Sequence, residues 1–233
     1  MIDREELTAR SAELERADAA DIVRWASERF GTKLTFATSL GIEDCVVTDM
    51  IARQSLPVAL FTLDTGLLFP ETYALKEQIE RKYGVTIAGV RPDYTVAQQA
   101  EREGGELWLR DPDRCCDLRK IQPLRSTLAH YDAWITAIRR DQTPERANAP
   151  VVSWDARFGL VKINPLVRWT SADVRAYVQE HDVPYNPMHD QHYPSIGCIP
   201  CTSQVQPGED PRSGRWRGRE KTECGLHFVR PAS

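Results

Sequence analysis

Three observations predict an α/β domain with a mostly parallel sheet flanked by helices and a loop-rich C-terminal arm. Short runs rich in β-formers alternate with helix-periodic runs between Lys33 and Val90, the pattern that gives parallel strands with helices on both faces. The turn after the first such run carries small hydroxyl residues and a glycine. Beyond residue 183 the chain is broken by Pro184, Pro187, Pro194, Pro200, Pro207 and Pro211. We divide it into a domain over 1–203 and an arm over 204–233.

Each element has a local reason. Residues 4–31 read as two helices, with Gly31 capping the second. "KLTFATS" (33–39) is a strand, and "IEDCVVTDMIAR" (42–53) repeats Ile42, Val46 and Met50 at helical spacing. "VALFTLD" (58–64) is a second strand. "PETYALKEQIERKYG" places Pro70 in a first turn and Gly84 at a stop. "VTIAGV" (85–90) is a third strand, "AWITAIRR" (133–140) a fourth and "VKINPL" (161–166) a fifth. "TSADVRAYVQEH" (170–181) is a capped amphipathic helix.

Composition narrows the function classes. The 233 residues are 41% apolar, enough for one sizeable core, and the net charge of -4 gives no sign of nucleic-acid binding. No apolar run reaches the roughly 18 residues of a membrane span, and the acidic N-terminus lacks the apolar segment of a secretory signal. The expected compartment is the cytoplasm. In that reducing setting six cysteines read as metal ligands, redox catalysts or core residues rather than disulfides.

Three constellations carry chemistry. In the first, Thr38, Ser39 and Gly41 of "TSLGIEDC" offer hydroxyls and an accessible backbone at a strand end, where an oxyanion would sit. The same turn also reads as a plain helix cap, with Glu43 and Asp44 answering the helix dipole. "LDTG" (63–66) would line the same crevice; its aspartic-protease reading fails for want of a second half and an all-β pattern. The second constellation joins "RCCDLRK" (114–120) to "SIGCIPCT" (195–202). Cys115, Cys116, Cys198 and Cys201 suit zinc or an iron–sulfur cluster. Adjacent cysteines meet one small ion only with backbone distortion, whereas a cubane offers separate corners, and Arg114, Arg119 and Lys120 would screen its charge. The third is Cys224, preceded by Arg215, Arg217, Arg219 and Lys221 and followed by His227; nearby cations favour a nucleophilic thiolate. Cys45 sits beside Ile42 and Val46 and reads as core.

With these residues in view, the sequence resembles the assimilatory adenylyl-sulfate (APS) reductases, relatives of the phosphoadenylyl-sulfate (PAPS) reductases. "ATSLGIEDCVV", "LDTGLLFPETY", "RDPDRCCDLRKIQPL", "WITAIRRDQ", "VKINPLVRWT", "YNPMHDQHYPSIGCIPCT" and "GRWRGREKTECGLH" carry the resemblance in order. It implies an adenine-nucleotide α-hydrolase-like fold. Cys224 would attack the sulfur of the adenylated sulfate, and thioredoxin or glutaredoxin would release sulfite from the S-sulfonate, in sulfate assimilation leading to cysteine. The arm would close over substrate and open to the reductant, which explains a terminal cysteine. Cys115, Cys116, Cys198 and Cys201 would hold one 4Fe-4S cluster, with Lys120 between cluster and sulfate. Arg139, Arg140, Arg212, Arg215 and His227 would hold the phosphosulfate, and Ser39, Gly41, Glu43, Asp44, Asp64 and Thr65 would line the nucleotide site. The first turn departs from many relatives, reading Ser39-Leu40-Gly41-Ile42 where they have Ser-Gly-Ala, and Ala137 and Thr143 replace a frequent Gly and Ser.

Three readings compete. A PAPS or dual-specificity reductase shares the chemistry, though cluster cysteines generally accompany APS use in the family. A tRNA-thiolating enzyme would need a Ser-Gly-Gly-type pyrophosphate loop, which the sequence lacks. A zinc-stapled binding module explains neither Cys224 nor the α/β pattern. Oligomeric state, a homo-oligomer included, is left open.

Overall fold

The structure, a computed structural model, describes residues 4–227. The elements run α1 (Arg4–Leu14), α2 (Ala19–Phe30), β1 (Leu34–Ala37), α3 (Ile42–Arg53), β2 (Ala59–Leu63), α4 (Pro70–Tyr83) and β3 (Ile87–Val90). Four short helices follow: α5 (Val96–Glu103), α6 (Leu107–Arg110), α7 (Pro112–Cys116) and α8 (Gln122–Leu128). A π-helical turn, Asp117–Ile121, joins the last two. Then come β4 (Ala133–Ile135), β5 (Val152–Asp155), β6 (Leu160–Ile163) and α9 (Ser171–His181).

The six strands form one sheet in the order β3-β2-β1-β4-β6-β5, all parallel except β5, which runs antiparallel to β6. Apolar residues on both faces of β1 and β4 fit strands covered on two sides. One face packs on the main core, which includes Val23, Phe36, Val46 and Val174. The other carries a smaller core of Phe61, Leu124, Leu128, Trp134 and Leu160. Cys45, 1% exposed, belongs to the main core as expected, and burial pushes its thiol up. Among the described residues no helix is long and apolar enough to cross a membrane.

Local chemistry sets the boundaries. Gly31 (φ +52) ends α2, Pro70 opens α4, and Gly84 (φ +65) closes it with its N–H on the Glu80 carbonyl. In α9 the Thr170 hydroxyl accepts from Asp173 N–H at 3.2 Å, while the Asp173 carboxylate accepts from Thr170 N–H at 2.7 Å.

Two strand expectations change. The fourth strand ends at Ile135, well short of residue 140, because Arg139 and Arg140 turn away to acidic partners. The fifth becomes β6, one arm of a hairpin. Its other arm, β5, alternates apolar and polar residues as "VSWD" but has no counterpart among the expected strands. Gly159 (φ +75) closes the turn between them, and Ser11 of α1 covers the edge by accepting from Val152 N–H at 3.1 Å.

Candidate active site

Strand order reverses direction between β1 and β4, so the loops leaving their carboxyl ends diverge and open a crevice. A cavity of about 540 Å³ lies there. The turn after β1 and the start of α3 supply Thr38 to Asp44, the loop after β4 supplies Thr136 to Arg139, Asp141, Gln142 and Arg146, and the arm closes over them with Arg212, Arg215, Glu223, Cys224 and His227.

The first turn is held from within. The Asp44 carboxylate accepts from Ser39 N–H at 3.0 Å, Gly41 N–H at 3.1 Å and the Ser39 hydroxyl. Leu40 lies at φ +61, a left-handed conformation that costs a side-chain-bearing residue about 1–2 kcal/mol. Its buried side chain (3% exposed) joins the main core. Packing of that side chain offsets the strain.

The arm is tied down on both sides of Cys224. Glu223, buried, pairs with Arg146 at 2.7 Å and Arg212 at 3.3 Å. Leu226 packs on the smaller core, and the His227 ring stacks on Trp134 with centroids 5.8 Å apart. Arg215 donates to the Cys201 carbonyl at 3.4 Å and to the Ser195 hydroxyl at 3.3 Å. A Cβ on Gly197 would stand 2.3 Å from its guanidinium, so this approach requires glycine.

A second, small cavity adjoins the first and is lined by Cys115, Cys116, Cys198 and Cys201 with Trp108 and Trp216. Two elements meet there: the α7 end supplies the adjacent pair, and the loop after Pro194 supplies the spaced pair. Among the described residues no three His, Cys, Asp or Glu side chains converge tightly enough to hold a single metal ion. Four thiols facing one cavity without meeting at a point suit the separate corners of a cluster better than one tetrahedral ion. Thr65 Oγ1 lies 3.3 Å from Cys198 Sγ, the kind of hydrogen bond that tunes a thiolate. Burial pushes Cys116 up to about 12. For Cys198 burial acts the same way, but Lys120, Thr65 and Arg215 outweigh it and bring the thiol below its ordinary value.

Lys120 lines both cavities. The π-helical turn that carries it sits between α7 and α8, as such turns often do at functional sites. Burial alone would lower its amine, yet Cys198, Cys224 and Cys116 more than reverse this and hold it charged.

Most sequence-predicted residues come together, and some do not. Ser39, Gly41, Glu43, Asp44, Thr65, Lys120, Arg139, Arg212, Arg215, Cys224 and His227 line the main cavity. Arg139 does so while paired to Glu43 and, at 2.9 Å, to Asp141. Arg140 does not line it: its guanidinium is spent on Glu15 of α1 (Nη2 to Oε2, 3.1 Å) and the Ala149 carbonyl. Asp64 also faces away, accepting from Tyr73 at 2.6 Å, Arg91 at 2.9 Å and Gly66 N–H at 3.1 Å. Arg114 is exposed and paired with Glu103 rather than screening the cysteines. Of the arm cations expected around Cys224, Arg217 pairs with Glu209, Lys221 with Asp113, and Arg219 reaches the Leu109 carbonyl. Arg212, Lys120 and Cys116 each feel the charge of Cys224.

Sequence reasoning missed Arg146, Glu223 and Lys162. Arg146 is 8% exposed, lines the cavity, and its Nε is buried without a partner among the described residues. It lies in a Pro-Glu-Arg turn that looks like solvated loop, and only its burial singles it out.

A cavity at the switch point of a mostly parallel sheet is the architecture of the adenine-nucleotide α-hydrolase-like fold. Solved structures agree on that fold: a FMN adenylyltransferase of Candida glabrata aligns at TM-score 0.58 with 12% identity, covering 96% of this chain and 78% of its own. Residues 33–204 match the phosphoadenosine phosphosulfate reductase domain, and the chain belongs to that family. It is 46% identical over 234 residues to the adenosine 5'-phosphosulfate reductase of Rhodococcus opacus, covering 97% of this chain and 95% of that protein. Against the enzyme of the same name from Mycolicibacterium smegmatis it is 48% identical over 217 residues, covering 93% and 91%. The phosphoadenylyl-sulfate reductase of Candida auris, solved with phosphate, aligns at TM-score 0.78 with 30% identity, covering 88% of this chain and 98% of that one.

Proposed function

We propose that this chain reduces adenosine 5'-phosphosulfate to sulfite and AMP in sulfate assimilation, with Cys224 as the nucleophile and thioredoxin or glutaredoxin as the electron donor. The observation that carries this reading is that Cys224 opens onto the same cavity as the Ser39 turn, Lys120, Arg139 and Arg146. A nucleophile and an anion-binding lining share one enclosed space.

In the first half-reaction the Cys224 thiolate attacks the sulfate sulfur. A sulfur–sulfur bond forms, the bond from sulfur to the bridging oxygen breaks, and that oxygen leaves with its electron pair as the phosphate of AMP. Lys120, Arg139, Arg146, Arg212 and Arg215 offer fixed positive charge where this charge develops, the largest usual contribution to such a step. His227 offers a ring nitrogen to the same anion. In the second half-reaction a thiolate of the reductant attacks Cys224 Sγ, forms a mixed disulfide and expels sulfite with the bonding pair. The reductant's second thiol resolves that disulfide, so its dithiol is oxidised and sulfur gains two electrons. Access for a protein thiol requires residues 204–233 to act as an arm that lifts away; residues 228–233 of that arm lie outside the described residues.

Cys115, Cys116, Cys198 and Cys201 would hold a 4Fe-4S cluster. When bound it would supply a rigid, charged body beside the cavity, next to Lys120. A cluster beside Lys120 would stiffen the site and help polarise the sulfate that both nucleotides carry, replacing grip that a 3'-phosphate would otherwise give, which makes APS the expected substrate.

The test uses anaerobically purified protein. It should be brown, with iron and acid-labile sulfide in equal amounts, and Cys198→Ser should lose both. With APS and PAPS compared side by side, kcat/KM should favour APS by at least about tenfold, or roughly 1.4 kcal/mol. Without reductant, one sulfonate should appear on the peptide carrying Cys224. A preference for PAPS would reverse the substrate assignment. Sulfite production undiminished in Cys224→Ser would remove the nucleophile.

A further inference from the structure

Lys162 has no acidic partner among the described ion pairs, yet it is 7% exposed at the centre of β6. Burying an ammonium without a carboxylate is costly. It stands in register with Trp134 of β4, on the sheet face that the arm covers. Its Nζ lies 5.4 Å from the Trp134 ring centroid and 3.4 Å from Nδ1 of His227. His227 in turn stacks on Trp134 and lines the main cavity, three residues after Cys224. Lys162 does not line that cavity itself; it stands behind the pair that does.

The chemistry of the two groups fixes the direction of the bond. An ammonium has donors only, so Nδ1 must accept and the ring proton must sit on Nε2. The ring is neutral as well: burial, then Lys162, Arg146, Arg212 and Arg157, hold His227 well below its ordinary value. Burial lowers the Lys162 amine to about 8, which leaves it mostly charged at neutral pH.

We propose that Lys162 is a positioning residue whose ammonium fixes His227 as the Nε2–H tautomer, a neutral donor presented to the phosphosulfate, and seats the arm with Cys224 in its closed position. This rests on the reductase reading above. Without the lysine, the ring could turn either nitrogen to the cavity, and the arm would lose a contact on the C-terminal side of the nucleophile.

The experiment combines a spectroscopic readout with a kinetic one. Protein labelled with 15N-histidine, with His227 assigned by comparison with His227→Gln, should show the Nε2–H pattern in wild type and lose it in Lys162→Met. In single turnover with APS and no reductant, Lys162→Met should sulfonate Cys224 at least about tenfold more slowly, while AMP affinity stays within about threefold. Lys162→Arg, which keeps a cationic donor, should retain the tautomer and sulfonate faster than the Met variant; it also keeps the test alive if Lys162→Met does not fold. An Nδ1–H pattern in wild type, or wild-type sulfonation in Lys162→Met, overturns the proposal. If wild type itself fails to sulfonate Cys224, the reductase reading falls instead, and the tautomer measurement still decides the Lys162–His227 pairing.

Discussion

Arg140 and Arg146 are six positions apart, and nothing in their local sequence says which of them serves the cavity. The structure separates them by partner. Arg140 lies against Glu15 of α1, with both side chains about a third exposed (31% and 35%), a setting in which an ion pair contributes up to about 1 kcal/mol. Arg146 is buried at the cavity wall, holds Glu223, and keeps one N–H without a partner among the described residues. A charge-assisted hydrogen bond to an anion is worth about 1.5–3 kcal/mol. Arg146→Met should therefore lower kcat/KM for APS by about 10- to 100-fold, whereas Arg140→Met should stay within about threefold and lose only a little stability. Parallel steady-state assays and thermal melts check both. Equal losses in the two variants would return Arg140 to the site.

Elements explain why isolated residues were legible to different degrees. Helix α3 was readable to the residue because its caps and periodicity are local, and its Asp44 closes the turn that begins the cavity. Strand β6 was harder. Its Lys162 interrupts an apolar run, and only pairing with β4 and β5 shows that the side chain is enclosed rather than solvated. That enclosure has a thermodynamic consequence. The amine's folded value, about 8, lies below its ordinary 10.5, so between those pH values the unfolded chain binds more protons and stability rises with pH. Below pH 8 the folded state carries the full penalty, about 3 kcal/mol at 1.36 kcal/mol per unit. Lys162→Met should then unfold at higher denaturant than wild type at pH 7, with the advantage shrinking towards pH 10.5. Urea titrations at the two pH values measure it; an advantage that does not change with pH would show that the amine is not the cause.

At the scale of the whole molecule, the arm forms one wall of the cavity. Glu223 anchors it to Arg146 and Arg212, Arg215 anchors it to the cysteine loop, and Leu226 with His227 close the smaller core. Such a wall should open as a unit, at a cost below that of global unfolding. Removing one side of a buried pair weakens it strongly, so Glu223→Gln should speed amide exchange across residues 212–227 by at least about tenfold and leave β1 and β4 unchanged. Hydrogen exchange read by mass spectrometry distinguishes the regions. Uniform acceleration across the sheet would mean that the arm is part of one cooperative core rather than a separate wall.

While α5 to α8 went without a sequence signal, the sequence by itself determined the alternation of strands and helices as far as Val90, the bounds of α3, α4 and α9, the four cysteines as a set, and Cys224 as the cysteine apart. All of these rest on short-range rules: periodicity, caps, and residue types whose chemistry is the same wherever they stand. Only the tertiary structure decided which charges are free. It assigned Arg140 to Glu15, Asp64 to Tyr73 and Arg91, and Lys221 to Asp113, and it brought Arg146, Glu223 and Lys162 inside. The physical reason is that a charged side chain's role depends on its partner and its distance from water. Both are set by contacts between segments far apart in the chain, 125 positions for Arg140 and Glu15.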